Sequence, residues 1–598
     1  MQIQLISMPW ALFNRPSIQL GSLKSYLQHH LPELSVTTLH PYLETAELLG
    51  KATYQRLSTN LWAGEALFSG LLFPERLEQA RQLFRRELPK QPVSDYTAWQ
   101  QLLAEQFNRY LAGAVNGKGL LLGFSVCFGQ LAASLWAAGL IRQQYPHLPI
   151  LLGGSTITPQ AARILPTLYP AITFCISGEG EKPLLQLAIN LIKSHSSTKK
   201  LPLHRRKTNC MPPDSITHIN QLAQLEELPP PDYQDYFSEL QQRRSTFIPQ
   251  LPVEFSRGCW WRQCSFCNLN LQWQGYRFKK HQKMLEEVQT LASRYQCLDF
   301  FFTDNALPPH EAQAFFREIV QQPVNFRFFA EVRALQEPEA FLLYRQAGVT
   351  EVQIGIEALA DSLLARMNKG TRAIDNIAAM RNAVAAGVRL TGNLILEFPG
   401  STAEDVQETL QALDALLPYP PLDAATFFLG QGSPVWCQPK QFGIDAIIPH
   451  PKNAALFPKS WIEALDMLVC DFRSADRKQQ KQLWAPVRKK LKAWQAFHRK
   501  RRSQQPALSF RDGGNFLIIR QERPGLDTLH HRLSGLSRAI YLQCGQPVTQ
   551  KELLQTFSQV KEEQLCRFLA DLEEKHLLYH TRDGYLALAV RTLSSPCV

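Results

Sequence analysis

Three cysteines within nine positions constrain this chain more than any other feature. They lie in Glu254-Phe255-Ser256-Arg257-Gly258-Cys259-Trp260-Trp261-Arg262-Gln263-Cys264-Ser265-Phe266-Cys267. A short apolar run at 253–255 leads directly into them, so a buried strand would deliver them on a loop. Closely spaced thiolates on one loop can hold three corners of an iron–sulfur cubane. The fourth iron is then open to an exchangeable ligand, which suits chemistry better than electron storage. Two other readings stand beside this one. A structural zinc wants a fourth Cys or His nearby, and His281 is too distant for a compact loop. Reduced core cysteines are the plain alternative, against which the flanking Arg257, Gly258 and Arg262 speak for a loop.

At 598 residues the chain exceeds one core, and three or four domains are expected. Hydrophobic content of 45% and charged content of 19% are those of an ordinary soluble protein. The opening Met1-Gln2-Ile3-Gln4-Leu5 has no basic stretch followed by a long apolar one, so no signal peptide is expected. Twelve cysteines in so long a chain are no disulfide framework, and the loop at Cys259 needs reduced thiols. The expected compartment is therefore cytoplasmic. Residues 119–141 lack any charge, long enough for a membrane span. They divide, however, into a strand-like part, 120–125, and a helix-like part from Leu131, which reads as a buried parallel strand with its covering helix. The net charge of +12 is concentrated in residues 477–502, with eleven Lys or Arg. A solvated helix face explains such a run, as does a contact surface for an acidic peptide or nucleic acid.

In the N-terminal region, residues 3–8 read as a strand, 17–29 as a helix and 35–39 as a second strand. Residues 44–116 read as mainly helical, with breaks near Pro74 and at 89–92. Strand–helix units then recur, with strands at 120–125, 150–152 and 172–176 and helices from Leu131, Pro159 and Lys182. Such alternation implies a parallel, doubly wound sheet with a ligand crevice at the strand C-terminal ends. Gly123-Phe124-Ser125, Gly153-Gly154-Ser155 and Gly178-Glu179-Gly180-Glu181 lie at those ends, where backbone can approach a large ligand. Residues 196–250, Ser-, Lys- and Arg-rich and then carrying Pro229-Pro230-Pro231, read as a linker.

After the cysteine loop the rhythm resumes. Strands are expected at 253–257, 298–303, 325–330, 350–356, 388–397 and 423–428. Helices are expected near 279–294, 310–320, 337–346, 373–386 and 402–416. Thr303-Asp304-Asn305, Arg333, Gly355-Ile356-Glu357 and Asn393 with Phe398-Pro399-Gly400 fall at strand ends, the reactive end of βα barrels. Singly, each could be ordinary capping or ion pairing. Residues 441–505 read as a basic helical region, and 508–519 as a hairpin turning at Asp512-Gly513-Gly514. Helices near 534–544, 548–557 and 560–575 follow, then strands at 577–580 and 585–589.

These motifs carry a resemblance. The cysteine loop resembles the cluster motif of radical S-adenosylmethionine (SAM) enzymes, with one extra residue in the first gap (Cys-x4-Cys-x2-Cys). The glycine loops resemble the cobalamin-binding domain that precedes many radical SAM cores. Met8-Pro9-Trp10, Arg15 through Gly21, Ser256 through Trp261, Gly355 through Leu359 and Asn393 with 398–400 together resemble the cobalamin-dependent radical SAM C-methyltransferases of ribosomal-peptide natural-product (RiPP) maturation.

The resemblance implies an α/β chain in five parts. A cobalamin-binding Rossmann-like domain would span 1–195 and a linker 196–250. A partial (βα)6 radical SAM barrel would span 251–440, with the basic helical region at 441–505. A winged-helix-like domain that could grip a leader peptide would span 506–598. It further implies a [4Fe-4S] cluster on Cys259, Cys264 and Cys267, and SAM held by Asp304, Asn305, Arg333, Glu357 and Asn393. Cobalamin would lie against Ser125, Gly153, Gly154, Ser155, Gly178, Glu179, Gly180 and Glu181, without a histidine ligand to cobalt, because the loop at 9–16 lacks the Asp-x-His-x-x-Gly motif. A 5′-deoxyadenosyl radical would take a substrate hydrogen and methylcobalamin would deliver the methyl group. The implied partners are a leader-bearing precursor peptide and a flavodoxin- or ferredoxin-type electron donor, with neither membrane nor nucleic acid.

A small-molecule substrate, or a cobalamin-dependent nucleic-acid-binding sensor, are the other functions these parts could serve. A methylthiotransferase acting on transfer RNA is disfavoured, since Cys127, Cys175 and Cys210 form no second three-cysteine set.

Overall fold

The computed structural model describes residues 1–196, 221–243, 246–335, 337–503 and 505–592. Cys210 and the first half of the expected linker lie outside them. The chain begins with five parallel strands: β1 (Gln2–Ile6), β2 (Ser35–Leu39), β3 (Leu121–Ser125), β4 (Ile150–Gly153) and β5 (Phe174–Cys175). Their order is β2-β1-β3-β4-β5. Every residue of β3 is buried, as a central parallel strand demands. The helix Leu131–Gln144 covers it with Leu135, Ala138 and Ile141. The uncharged stretch at 119–141 is thus one strand and one helix. No helix among the described residues is long and apolar enough to cross a membrane.

The helices inserted between β2 and β3, from Pro41–Leu49 to Val93–Ala114, build a second layer whose core includes Tyr54, Phe68, Phe84 and Phe107. The described half of the linker is a packed strap rather than a loose connection. Leu222, Leu225 and Leu228 bury themselves on Tyr26. Tyr233 donates from its hydroxyl to the Pro252 carbonyl at 2.6 Å, and Tyr236 to that of Phe13 at 2.8 Å. Gly21 is needed where the strap crosses, because a Cβ there would sit 2.6 Å from the Tyr233 ring. The prolines suggested extension, but the leucines and tyrosines between them decide the packing.

The central domain carries β6 (Leu251–Val253), a small antiparallel pair of β7 (Ser256–Arg257) and β8 (Arg277–Phe278), then β9 (Asp299–Phe302), β10 (Arg327–Val332) and β11 (Val349–Ile354). β12 (Arg389–Thr391), β13 (Asn393–Leu396) and β14 (Asp423–Thr426) complete it. β6, β9, β10, β11 and β12 run parallel in that order. At Gly392 the chain changes partner, so that β13 pairs in parallel with β14. A bridge between Glu357 and Leu394 carries the sheet across this break. Among the described residues β6 and β14 do not pair, and the barrel is open.

Alternation along the strands sorts the phenylalanines. Phe300, Phe302 and Phe328 meet Phe315 and Phe316 of the helix Pro309–Val320. Phe301 and Phe329 stack at 4.4 Å on the opposite, inner face, with the Arg15 guanidinium 3.6 Å above Phe301.

Beyond the barrel the expected basic helical region contains strands. Ala446–Pro449 and Val469–Arg473 lie in it and form an antiparallel sheet with Leu429–Gly430, from the end of the expected barrel. These strands are short, and distant partners rather than their own pattern create them. The C-terminal domain joins Leu508–Asp512, Phe516–Gln521 and an unexpected third strand, Leu529–Ser534, which lies at the sheet edge.

Candidate active site where the barrel faces the N-terminal sheet

The cysteine loop leaves β6, makes β7 and turns through Gly258 at φ +88°. A Cβ there would lie 2.9 Å from the Gly275 carbonyl oxygen, which makes glycine necessary. Asp304, just past β9, holds the start of the loop. Its carboxylate accepts from the Phe255 N–H at 3.0 Å and from the Ser256 hydroxyl. Burial pushes this carboxyl up to about 7. Asp304 thus sits behind the loop, while its neighbour Asn305 faces open space.

Further along, the Ser265 N–H donates to the Met367 carbonyl at 2.8 Å, and the Trp261 indole to that of Asn368. The Asn368-Lys369-Gly370 turn, with φ of +49° at Asn368 and +70° at Gly370, therefore forms the opposite wall of the loop.

The thiols of Cys264 and Cys267 are largely buried within range of each other and of Cys259. Burial pushes Cys267 up to about 11, and Cys264 upward too, where Lys369 and Arg333 oppose the shift. Among the described residues no three His, Cys, Asp or Glu side chains converge on one metal ion. A cluster that takes each thiolate on a separate iron does not ask for such convergence. A loop carrying three thiols with two cations beside them fits that group.

Arg333 is sandwiched against Trp260 and Trp261, its carbon 5.1 and 4.7 Å from their ring centres. It donates to the Lys369 carbonyl, and among the described residues its buried Nε has no hydrogen-bond partner. Lys369 reaches Glu357 at 3.2 Å. Glu357 takes φ +62°, which turns it out of the strand. Its N–H donates to the Asn393 carbonyl. The structure thus gathers Arg333, Glu357 and Asn393 around the barrel mouth.

Sequence reasoning passed over Lys369, for which the Asn-Lys-Gly turn was the available signal. It also passed over Glu331, on the inner face of β10. Burial, with the neighbouring charge of Glu357, pushes its carboxyl up to about 7.

The expected cobalamin residues converge elsewhere, on a cavity of about 770 Å³. Ser125, Gly153, Gly154, Ser155 and 178–181 line one side. Asn268, Leu269, Leu271, Gln272 and Trp273, immediately after Cys267, line the other. Asn305 lies on this cavity as well. Gly154, at φ +111°, admits no side chain, since a Cβ would fall 2.6 Å from the Val126 carbonyl. Glu179 and Glu181 lie along the wall, with their carboxylates bound to Arg257 and Arg277. A third wall comes from Phe428, Gln431, Trp436, Asp466, Leu468 and Val469, which no sequence pattern marked.

Residues 253–413 match the radical SAM superfamily. The anaerobic magnesium-protoporphyrin IX monomethyl ester cyclase of Synechocystis is 24% identical over 297 residues, covering 47% of this chain and 56% of that protein. The chain thus spans little more than half the length of this curated relative. Two solved structures share the fold. The cobalamin-dependent SAM radical enzyme OxsB, with aqua-cobalamin and SAM bound, superposes with a TM-score of 0.55 at 16% identity, covering 83% of this chain and 71% of that one. The radical SAM methyltransferase TsrM from Kitasatospora setae, with tryptophan and a SAM analogue bound, gives 0.51 at 18% identity, covering 82% and 88%. Residues 253–413 of this chain are a radical SAM domain, the type whose cofactors are a [4Fe-4S] cluster and SAM, set in an α/β fold shared with OxsB and TsrM.

Proposed function

We propose that this chain is a cobalamin-dependent radical SAM C-methyltransferase that places methyl groups on unactivated carbons of a ribosomally made precursor peptide. One observation carries the reading: a single cavity joins the glycine-lined end of the N-terminal sheet to the residues that follow Cys267. Cobalamin fits this space on two counts. Gly153 and Gly154 bring bare backbone to its wall, and at Gly154 the Val126 backbone excludes any side chain. Phe128, Leu269, Leu271 and Phe428 expose large apolar surfaces around it, which an extended macrocycle would cover. When bound, the cluster with SAM and methylcobalamin supply radical formation and the methyl group.

The chain's own part is positional. Cys259, Cys264 and Cys267 hold the cluster, and Asp304 and Gly258 fix the loop that carries them. Arg333, Lys369, Glu357 and Asn393 offer charge and hydrogen bonds at the barrel mouth for the amino-acid and ribose parts of SAM. Phe428, Gln431, Trp436, Asp466, Leu468 and Val469 wall off the remaining side of the cavity.

The peptide substrate is supported by the edge strand Leu529–Ser534. It carries His530, His531 and Arg532 and is flanked by exposed Leu526 and Leu536. Such an edge accepts an added strand, and the Arg532 cation on it favours an acidic one.

The test is anaerobic reconstitution with iron, sulfide and hydroxocobalamin, followed by SAM and a chemical reductant. Formation of 5′-deoxyadenosine and S-adenosylhomocysteine, both lost in Cys264→Ala, is the expected result. Iron-free protein that makes neither overturns the reading. Methylation of a small molecule with no binding of acidic peptides would keep the chemistry and replace the substrate.

A further inference from the structure

Arg257 stands two residues before Cys259, in β7, and is buried. Its guanidinium donates from Nε to Glu254 at 2.9 Å, and its two terminal nitrogens meet Glu179 at 3.1 Å and Glu181 at 2.7 Å. Glu254 belongs to the cysteine loop, whereas Glu179 lies in the loop after β5 and Glu181 opens the helix Glu181–Ser196 in the N-terminal domain. Arg277, paired with Arg257 in register across β7 and β8, shares Glu179 and also binds Gln221 and the Leu222 carbonyl of the strap. Three carboxylates and two guanidinium groups therefore meet where N-terminal domain, strap and cysteine loop come together. Burial alone would push the Glu181 carboxyl up, but Arg257 outweighs it and holds it below its ordinary value.

The same residues form the cavity wall. Glu179, Gly180, Glu181, Glu254, Arg257 and Trp273 all line it, and Arg257 lies 5.5 Å from the Trp273 ring centre. Gly258 pins the next residue of the loop against Gly275. A ligand seated in the cavity thus presses on the group that anchors the stem of the thiol-bearing loop. A buried ion cluster has few alternative arrangements, because any displacement strands a charge without its partner.

We propose that Arg257 is a positioning residue that couples the two sites, so that occupancy of the cavity and assembly of the cluster each tighten the other. The proposal rests on the reading that the cavity takes cobalamin. Linkage makes the effect reciprocal, with couplings commonly 5- to 150-fold. Arg257→Lys keeps the charge but loses the fork that grips three carboxylates at once.

The experiment titrates hydroxocobalamin by absorbance into the full chain, once stripped of iron and once with the cluster reconstituted. Wild type, Arg257→Lys and Glu181→Gln are compared, with melting curves to confirm folding. About tenfold tighter binding to the cluster-loaded wild type is expected. In the variants that ratio is expected to fall below about twofold while both cofactors still bind. The EPR spectrum of the reduced cluster, compared with and without cobalamin, is expected to change in the wild type and not in Arg257→Lys. Equal affinity in both wild-type states overturns the proposal, as does an unchanged ratio in both variants. If hydroxocobalamin binds neither state, the functional reading itself falls and the coupling with it. Should Arg257→Lys fail to fold, Glu181→Gln carries the comparison.

Discussion

A methyl group added at residue 370 would land 2.1 Å from the Trp261 ring, at a backbone φ of +70° that disfavours any side chain. Gly370→Ala must therefore move Trp261, breaking its hydrogen bond to Asn368 and its contact with Arg333. Iron bound after reconstitution is expected to fall several-fold, whereas Trp261→Phe, which keeps an aromatic face, retains most of it. Iron and sulfide analysis reads the difference, and normal loading of Gly370→Ala would refute the role given to this turn.

Glu331 makes a second test. Its folded value of about 7 lies above that of an unfolded chain, so its stabilising contribution is complete below about pH 4 and is lost as pH rises to 7. Glu331→Gln, neutral throughout, is expected to be more stable than wild type at pH 8, by up to about 3 kcal/mol. It should match wild type only at about pH 4 and below. Denaturant melts of the metal-free protein at both pH values check this. The thiols were legible in the sequence because their spacing is local. Glu331 and Lys369 were not, because what distinguishes them is the company that β10 and a turn more than thirty residues later provide.

Among the elements, the basic run at 477–502 was the least decided by sequence. The helix Ala485–Lys500 buries Val487, Leu491 and Trp494 along one face. The Trp494 indole donates to the Tyr419 carbonyl, and Lys490 pairs with Asp414. Much of the basic character is thus the outer face of a helix packed on the barrel helix Ala403–Leu416. Trp494→Ala is expected to cost about 3–5 kcal/mol, and the pair Lys489→Glu and Lys492→Glu less than about 1 kcal/mol. Chemical denaturation measures both, and equal losses would contradict this placement.

The βα rhythm of both domains was readable because each strand is a buried apolar run with a covering helix close in sequence. Ala446–Pro449 and Leu529–Ser534 escaped because they are half-exposed strands, held by register with neighbours rather than by their own pattern.

At the scale of the whole molecule, the segment after the barrel returns to the N-terminal domain. Leu456, Phe457 and Trp461 bury themselves in the helical layer's core, with Trp461 at 5.0 Å from Phe73 and 5.8 Å from Tyr169. The Gln160 amide donates to the Ala464 carbonyl, and Trp62 stacks on His450. The wall residues Asp466, Leu468 and Val469 follow directly. Trp461→Ala, though outside the cavity, is expected to weaken hydroxocobalamin binding about tenfold and leave the iron content of reconstituted protein near normal. Absorbance titration and iron analysis decide it, and an unaltered affinity would show that this segment does not hold the wall. Which domain the 441–505 stretch serves was not legible in the sequence, because its contacts reach back more than three hundred residues.

That return also orders events during synthesis. The sheet that supplies the first wall of the cavity is finished before residue 200, the cysteine loop appears some sixty residues later, and the last wall emerges only near residue 470. At about 5–20 residues per second, the nascent chain spends on the order of tens of seconds with Phe128, Gly153 and Gly154 facing solvent. The chamber closes last, so a bulky cofactor meets an open doorway while the chain is still growing, and a threshold only once it is complete.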